Sequence, residues 1–481
     1  MPKHFYYKKL FYINHKVIDM KIFQYIVFVM AGVLFFTSCE KSLEEINADP
    51  TRLTEVAMSL MLPEILGQAA YNQGTNPARV AGIITQQFVG VDAQQLQYND
   101  YVLGEDAMNN YWRTGLYAGS LKSCQVLIDQ ATRDGATFYS GVAKIIMANE
   151  YGIATSMFGE IPFSEALQGV DNLKPAYDSQ EQIYAGVLSL LDQGIADLAS
   201  STGYVSGDLI FSGDAAAWIA TANALKARYS MQLSKRIGDK ASNDALSAIA
   251  NAFTSAAGQP VFNFGTAQTD NWPLAKFGVD RPGTLGIDDR FAQAMTDRND
   301  PRISKYMEGA PGAWIYYNSP NSNLIWGRNN APVPLISYAE VKFIEAEAIA
   351  RTGGDASATL AEAITASMEL NEVAADDYAD YVAANGSVSG SVDEQVAKIM
   401  EEAYYGYFGH SFIQVWCNYR RTGVPALTPD PDASPGFDPS GIVPQRYLYV
   451  ESETQTNAVN VQAARDRQGG GLLDNPVWAF E

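Results

Sequence analysis

The side chain whose setting points most directly to a reaction is the thiol of Cys39. It closes the run Phe36-Thr37-Ser38-Cys39, directly behind an apolar stretch, Ile22–Phe36, that follows Lys21. Small residues and a cysteine at the end of such a stretch form a lipobox. The thiol is acylated, and cleavage ahead of it leaves Cys39 as the new N-terminus. Phe36 stands where a lipobox usually carries leucine. The apolar run is shorter than the roughly 20 residues of a permanent membrane helix, and it suits the hydrophobic part of an export signal. Translation from Met1 gives a long lysine-rich leader and translation from Met20 a conventional one; both yield the same mature chain. Residues 1–38 are therefore read as a signal peptide and 39–46 as an acidic tether. Residues 47–481 are read as the body.

Other reactive groups are sparse. His4 and His15 precede Cys39, which leaves His410 as the single histidine after it. A His-rich zinc site is excluded, and a Ser-His-Asp triad would have to use His410. That residue sits in Tyr405-Gly406-Tyr407-Phe408-Gly409-His410-Ser411-Phe412, which reads as buried packing. Cys124 and Cys417 fall in apolar helical patterns, as buried thiols or as a pair joined in an oxidising compartment. A glycosidase needs two carboxylates facing across a cleft. Glu340, Glu345 and Glu347 share one predicted helix, with Glu340 and Glu347 on one face, where acids are expected to be solvated or capping. Asp288-Asp289 and Asp297–Asp300 lack calcium-loop spacing. No GxSxG, Walker, Rossmann or HExxH pattern occurs. The expectation is a chain without catalytic residues, metal or cofactor.

Aromatic rings are more suggestive. Residues 256–336 hold three of the seven tryptophans within Gly-, Pro- and Asn-rich sequence. Rings beside polar side chains such as Asn271, Arg281, Asn318, Asn321 and Arg328 are what a sugar-binding face needs. The C–H face of a pyranose stacks on a ring while its hydroxyls take directional hydrogen bonds. Trp272, Arg281, Trp314, Tyr317 and Trp326 are the expected ligand-binding residues; the competing reading is that such rings pin long loops to the body.

The elements that must position these groups are helical by periodicity. Helices are predicted over Gly141–Phe158, Gln180–Leu198, Ala215–Arg236, Asp244–Thr254, Tyr338–Arg351, Ser357–Asn371 and Asp393–Phe408, starting near Thr54. Short Gly-, Pro- or Asp-containing breaks join them, as in stacked helix pairs. No strict 34-residue repeat is present. Helical stretches 54–255 and 337–425 flank the loop-rich insertion 256–336; long loops of this kind are usually functional. Of 33 basic and 54 acidic residues, five and one precede Cys39, so the remainder carries about −25. Nucleic acid and anionic lipid surfaces are poor partners for such a body.

Several motifs, read in order, resemble the SusD/RagB-like outer-membrane lipoproteins. After the lipobox and tether come Asn47-x-Asp49-Pro50 and Phe158-Gly159-Glu160-Ile161-Pro162-Phe163-Ser164-Glu165-Ala166, then Pro175-x-Tyr177-Asp178-Ser179. Arg228-Tyr229-Ser230-Met231, Ala339-Glu340-Val341 with Ala346-Glu347-Ala348, and Trp416-x-x-Tyr419-Arg420-Arg421-Thr422-Gly423 continue it. Arg446-Tyr447-x-Tyr449 and Asn475-Pro476-x-Trp478 complete it. The resemblance implies an all-α body of tetratricopeptide-like helix pairs with long loop-rich insertions. It implies a surface-exposed, lipid-anchored protein of the outer membrane that captures nutrient, a glycan or in some members a peptide. That nutrient is passed to a TonB-dependent, SusC-like transporter. The variable segments would make the ligand face, here 256–336 with help from residues 86–112 (Gln86, Gln87, Tyr98, Tyr101). An envelope glycoside hydrolase on a helical scaffold is the alternative from another class.

Overall fold

A computed structural model describes residues 55–317 and 323–481. The expected signal peptide and tether, Cys39, and Asn318 and Asn321 lie outside the described residues. Met58–Glu481 forms one compact unit.

The unit opens with helices α1 (Met58–Asn72) and α2 (Asn76–Ile84), strand β1 (Phe88–Gly90) and helix α3 (Ala93–Asn99). A π-helical stretch, Tyr111–Leu121, runs straight into α4 (Lys122–Asp134). Then follow α5 (Thr137–Phe158), α6 (Gln180–Ala199), α7 (Ala215–Gln232) and α8 (Asp239–Ile249). Helix starts are written into the side chains. Ser179 and Gln182 form a reciprocal capping box on α6, and Asp214 accepts from the N–H groups of Ala216 and Ala217 on α7, each satisfying orphan donors of a first turn. Sequence neighbours pack together along α4–α8, with Ile145, Val187, Leu191, Trp218 and Leu225 buried between them.

The 256–336 segment holds more structure than a loop. It contains β2 (Val261–Asn263), α9 (Pro273–Asp280), β3 (Leu285–Ile287), α10 (Asp289–Asp297) and β4 (Pro332–Pro334). Pro273 opens α9 at a position whose N–H would be unpaired in any case, and Asp288 caps α10 by accepting from Arg290 N–H. Two antiparallel ribbons stitch the segment down. β3 pairs with β1, Val89 opposite Gly286, and β2 pairs with β4, Phe262 opposite Val333.

The second helical half is α11 (Tyr338–Arg351), α12 (Ser357–Leu370), α13 (Ala375–Asn385), α14 (Val392–Gly406) and α15 (Phe412–Thr422). α11 packs on α12, α14 and α8, joining the halves, while α15 returns to α2. Ala348 meets Ala227 of α7 and Ala245 and Ala248 of α8 in a small apolar cluster, a contact that larger side chains would hold apart. The fold is all-α apart from the two ribbons, as expected. Two predicted helices differ in extent. Ala215–Arg236 breaks at Leu233 into two helices, and Asp244–Thr254 is shifted to Asp239–Ile249. There Asp239 lies in the first turn, next to the positive end of the helix.

The carboxylates of α11 depart from expectation. Glu340 and Glu347 are buried, not solvated. Arg228 grips Glu340 through two bonds, Nε–Oε1 at 2.5 Å and Nη2–Oε2 at 2.9 Å. Arg421 pairs with Glu347, with Nη2–Oε2 at 2.6 Å, and Arg351 adds a bond at 2.7 Å. The predicted turn cluster at 297–300 is likewise structural, because Asp300 forms a buried pair with Arg302 at 2.6 Å. His410 is buried, its ring stacked on Trp326 at 4.8 Å, and burial lowers its pKa to about 4. Cys124 and Cys417 are both free and buried.

Candidate functional site

A groove of about 590 Å³ opens between α1, the start of α2, the π-helix and α9. Helical spacing builds its walls. Gln68, Tyr71, Asn72 and Thr75 lie along α1 and the turn after it, one turn apart, while Lys276, Phe277 and Asp280 do the same on α9. The π-helix contributes Tyr111 and Thr114. Its wide turn brings Thr114 O to within 2.2 Å of where a Cβ on residue 119 would stand, so glycine is required at 119 for the turn that presents Tyr111 and Thr114. Such insertions into helices recur at functional sites.

The polar side chains of the groove are held rather than loose. Gln68 Nε2 donates to Asn72 Oδ1 at 2.8 Å, and Asn72 Nδ2 donates to Gly115 O at 3.1 Å and to Glu150 Oε2 at 2.7 Å. Asn76 Nδ2 donates to Ala107 O at 2.9 Å. Arg79 Nη1 donates to Gly74 O at 2.9 Å, and its guanidinium lies 4.1 Å from the Phe277 ring centroid. Tyr71 stands at the lip with 44% of its surface exposed. A flat ring beside fixed amides can stack an apolar face and bond a row of hydroxyls.

Glu150, on α5, is fully buried behind Asn72, and burial raises its pKa to about 8 against the opposing bond from Asn72. It is therefore neutral in the native protein at pH 7. In the unfolded chain it ionises near pH 4.5, so its contribution to stability is complete below that value and is lost progressively as pH rises to 8. Glu150→Gln keeps the neutral shape. The denaturant midpoint of this variant should exceed that of the parent at pH 9 by the equivalent of at least about 2 kcal/mol, with little difference at pH 4.5.

The residues expected from sequence are scattered relative to the groove. Trp272 and Trp326 are fully buried. Trp272 packs on Phe264 at 5.3 Å and under Gly74, and Trp326 packs on His410. Neither turns a ring face to solvent, so both anchor the insertion to the body. Arg281 is exposed at the C-terminal end of α9, and Tyr317 lies against Gly278 of the same helix. Trp314 is partly buried beside β3, its carbonyl accepting from Ile287 N–H. Of residues 86–112, Tyr98 is buried with its hydroxyl 3.4 Å from Asn76 Nδ2, and Gln87 is spent on Tyr404 O at 2.7 Å. Tyr101 is buried and receives Asp430 N–H. Gln86 bonds Thr428 O. Composition alone misses the wall formed by Gln68, Tyr71, Asn72 and Arg79. Its signal is the four-residue spacing of Gln68, Asn72 and Asn76, an amide ladder beside the apolar face of α1 that continues into α2.

A family profile described as "Starch-binding associating with outer membrane", SusD-like, matches residues 50–450. Among solved structures, the chain is similar to a SusD/RagB family protein from Bacteroides thetaiotaomicron. Identity is 23% over 88% of this chain and 99% of that one, with a TM-score of 0.72. A chitin-binding protein is 25% identical over 88% and 99% of the two chains, with a TM-score of 0.73. A chitin-binding SusD homolog from Flavobacterium johnsoniae is 19% identical over 87% and 98%, with a TM-score of 0.71. No curated protein matches the sequence.

Proposed function

We propose a function on the premise that this chain belongs to the SusD-like family. Membership supports a nutrient-binding protein associated with the outer membrane. On our reading the nutrient is a glycan, held without turnover in the groove between α1 and α9. It is then delivered to a TonB-dependent, SusC-like transporter. Acylation of Cys39 would fasten the protein to the outer membrane on the cell-surface side. Among the described residues no helix is long and apolar enough to cross a membrane.

The observation that carries the reading is Tyr71, an exposed ring at the lip of a groove whose floor is a fixed amide ladder. Arg281 ends α9 and Tyr317 lies against Gly278 of the same helix, extending this face beyond the groove; Trp314 stands beside β3, and Trp272 and Trp326 anchor the insertion to the body. Two carboxylates, Asp106 and Asp280, line the groove, and Asp280 is paired with Lys276 at 2.9 Å.

Titration calorimetry with starch, chitin and pectin oligosaccharides tests the proposal. Binding of at least one set is expected, with no new products by chromatography. Tyr71→Ala should weaken that binding about 10-fold or more, the equivalent of one lost stacking contact, while far-UV circular dichroism stays unchanged. Unaltered affinity in Tyr71→Ala would move the site elsewhere, and release of reducing sugar would make the protein a hydrolase.

A further inference from the structure

Arg79 is an arginine without an acid. Among the described residues no carboxylate lies within ion-pair distance of it, and its titratable neighbours are the phenols of Tyr316, Tyr98 and Tyr71. The fully buried arginines of the fold are matched more fully. Arg228, Arg302 and Arg421 each hold a carboxylate, and Arg420 and Arg446 spend their N–H groups on several main-chain carbonyls and side chains. Burial pulls the pKa of Arg79 down to about 10, still far above neutrality, so the cation persists in its partly buried place. A partly desolvated charge with no counter-charge is costly, and its retention in a cleft marks a functional group.

The geometry of the guanidinium narrows what it awaits. The Phe277 ring covers one face at 4.1 Å, and Nη1 is spent on Gly74 O at 2.9 Å. Nε has no hydrogen-bond partner but is closed off from solvent, and among the described residues Nη2 makes no bond either. Nη2 is thus the donor this guanidinium has left for the groove, able to hold a carboxylate oxygen through a charge-assisted bond. Arg79 sits in the opening turns of α2, beside Thr75 and Asn76, where the helix end adds positive potential to the groove. Of the carboxylates that reach the groove, Asp280 is neutralised by Lys276, and the field of Asp106 falls on Tyr98. The whole chain, at a formal net charge of −21, repels anions, so the local site must supply the attraction.

We propose that the groove is built for an acidic glycan, with the carboxylate of a uronic acid seated on Nη2 of Arg79 and its sugar ring beside Tyr71. This assignment rests on the glycan-binding reading of the groove and adds the ligand's charge to it. The neighbouring amides favour a hydroxyl-rich ligand around that carboxylate.

Trigalacturonate, its full methyl ester, maltotriose, chitotriose and a sulfated carrageenan tetrasaccharide are the probes, with affinities measured by calorimetry at pH 7. The free acid should bind at least 10-fold tighter than its ester and than the neutral sugars. Arg79→Met should erase that preference, bringing acid and ester to equal affinity, and Arg79→Lys, which keeps the charge but loses the planar guanidinium, should fall between. Equal affinity for acid and ester in the unaltered protein overturns the proposal, and this comparison needs no variant to fold. Tighter binding of the sulfated probe overturns the carboxylate assignment. Binding of maltotriose or chitotriose with rejection of the acid refutes the charge assignment and keeps the groove as a glycan site. No binding by any saccharide sinks both.

Discussion

Glu340→Ala should lower the folding stability by about 3–5 kcal/mol, among the largest single-site losses expected in this chain. The substitution removes the carboxylate and leaves the Arg228 guanidinium, 3% exposed, without its bidentate partner in a dry interior. Two bonds would remain, from Nη1 to Asn149 Oδ1 at 3.1 Å and from Nη2 to Leu335 O at 3.0 Å. Neutral acceptors do not balance a buried cation. The measurement is the denaturant midpoint at pH 7. The mechanism makes a second demand: replacing both members, Arg228→Met with Glu340→Met, should recover most of the loss, because no unpaired charge is then buried. If the double variant is as unstable as Glu340→Ala, the loss reflects packing of α7 against α11 and the ion-pair account is wrong.

Gly409→Ala should cost about 2–4 kcal/mol. The backbone at 409 has φ +86°, a conformation that disfavours any side chain, and a Cβ there would stand 2.0 Å from Trp326 Cγ. The indole cannot retreat. It is stacked on His410 and donates from Nε1 to Asn371 Oδ1 at 3.0 Å. Gly436, where an added methyl would meet nothing within 4 Å and φ is not positive, provides the control; Gly436→Ala should change stability by less than about 0.5 kcal/mol. Equal midpoints for the two variants would show that Trp326 gives way.

The helices were legible because their cause is local. Apolar spacing on Tyr338–Arg351 and Gln180–Ala199 dictates the buried face, and Ser179 with Gln182 marks a start. Trp416 and Arg420, four residues apart, fall on one helical face, and the guanidinium lies 3.9 Å from the Trp416 ring centroid. What failed was whatever depended on a distant partner. Glu340 and Glu347 look like surface acids until Arg228 and Arg421, 112 and 74 residues away, are folded onto them. Trp272 and Trp326 share their composition with a binding face, but a ring that pins a loop and a ring that stacks a sugar differ in what lies above them, which local sequence does not record. The groove required residues 68–79 and 273–280 to meet. Nothing in either stretch announces the other, although the amide ladder on α1 stands in plain view in the sequence.

The two thiols carry a practical corollary. Cys124 and Cys417 are sealed in the helical core as single residues, and burial pushes the Cys124 thiol well above its usual range, away from the reactive thiolate. The described fold is thus redox-indifferent, its integrity resting on helix packing and enclosed ion pairs instead of cross-links. A form lacking residues 1–38 and folded under reducing conditions should reach the same native state as one folded under oxidising conditions, with no need of oxidant or disulfide isomerase.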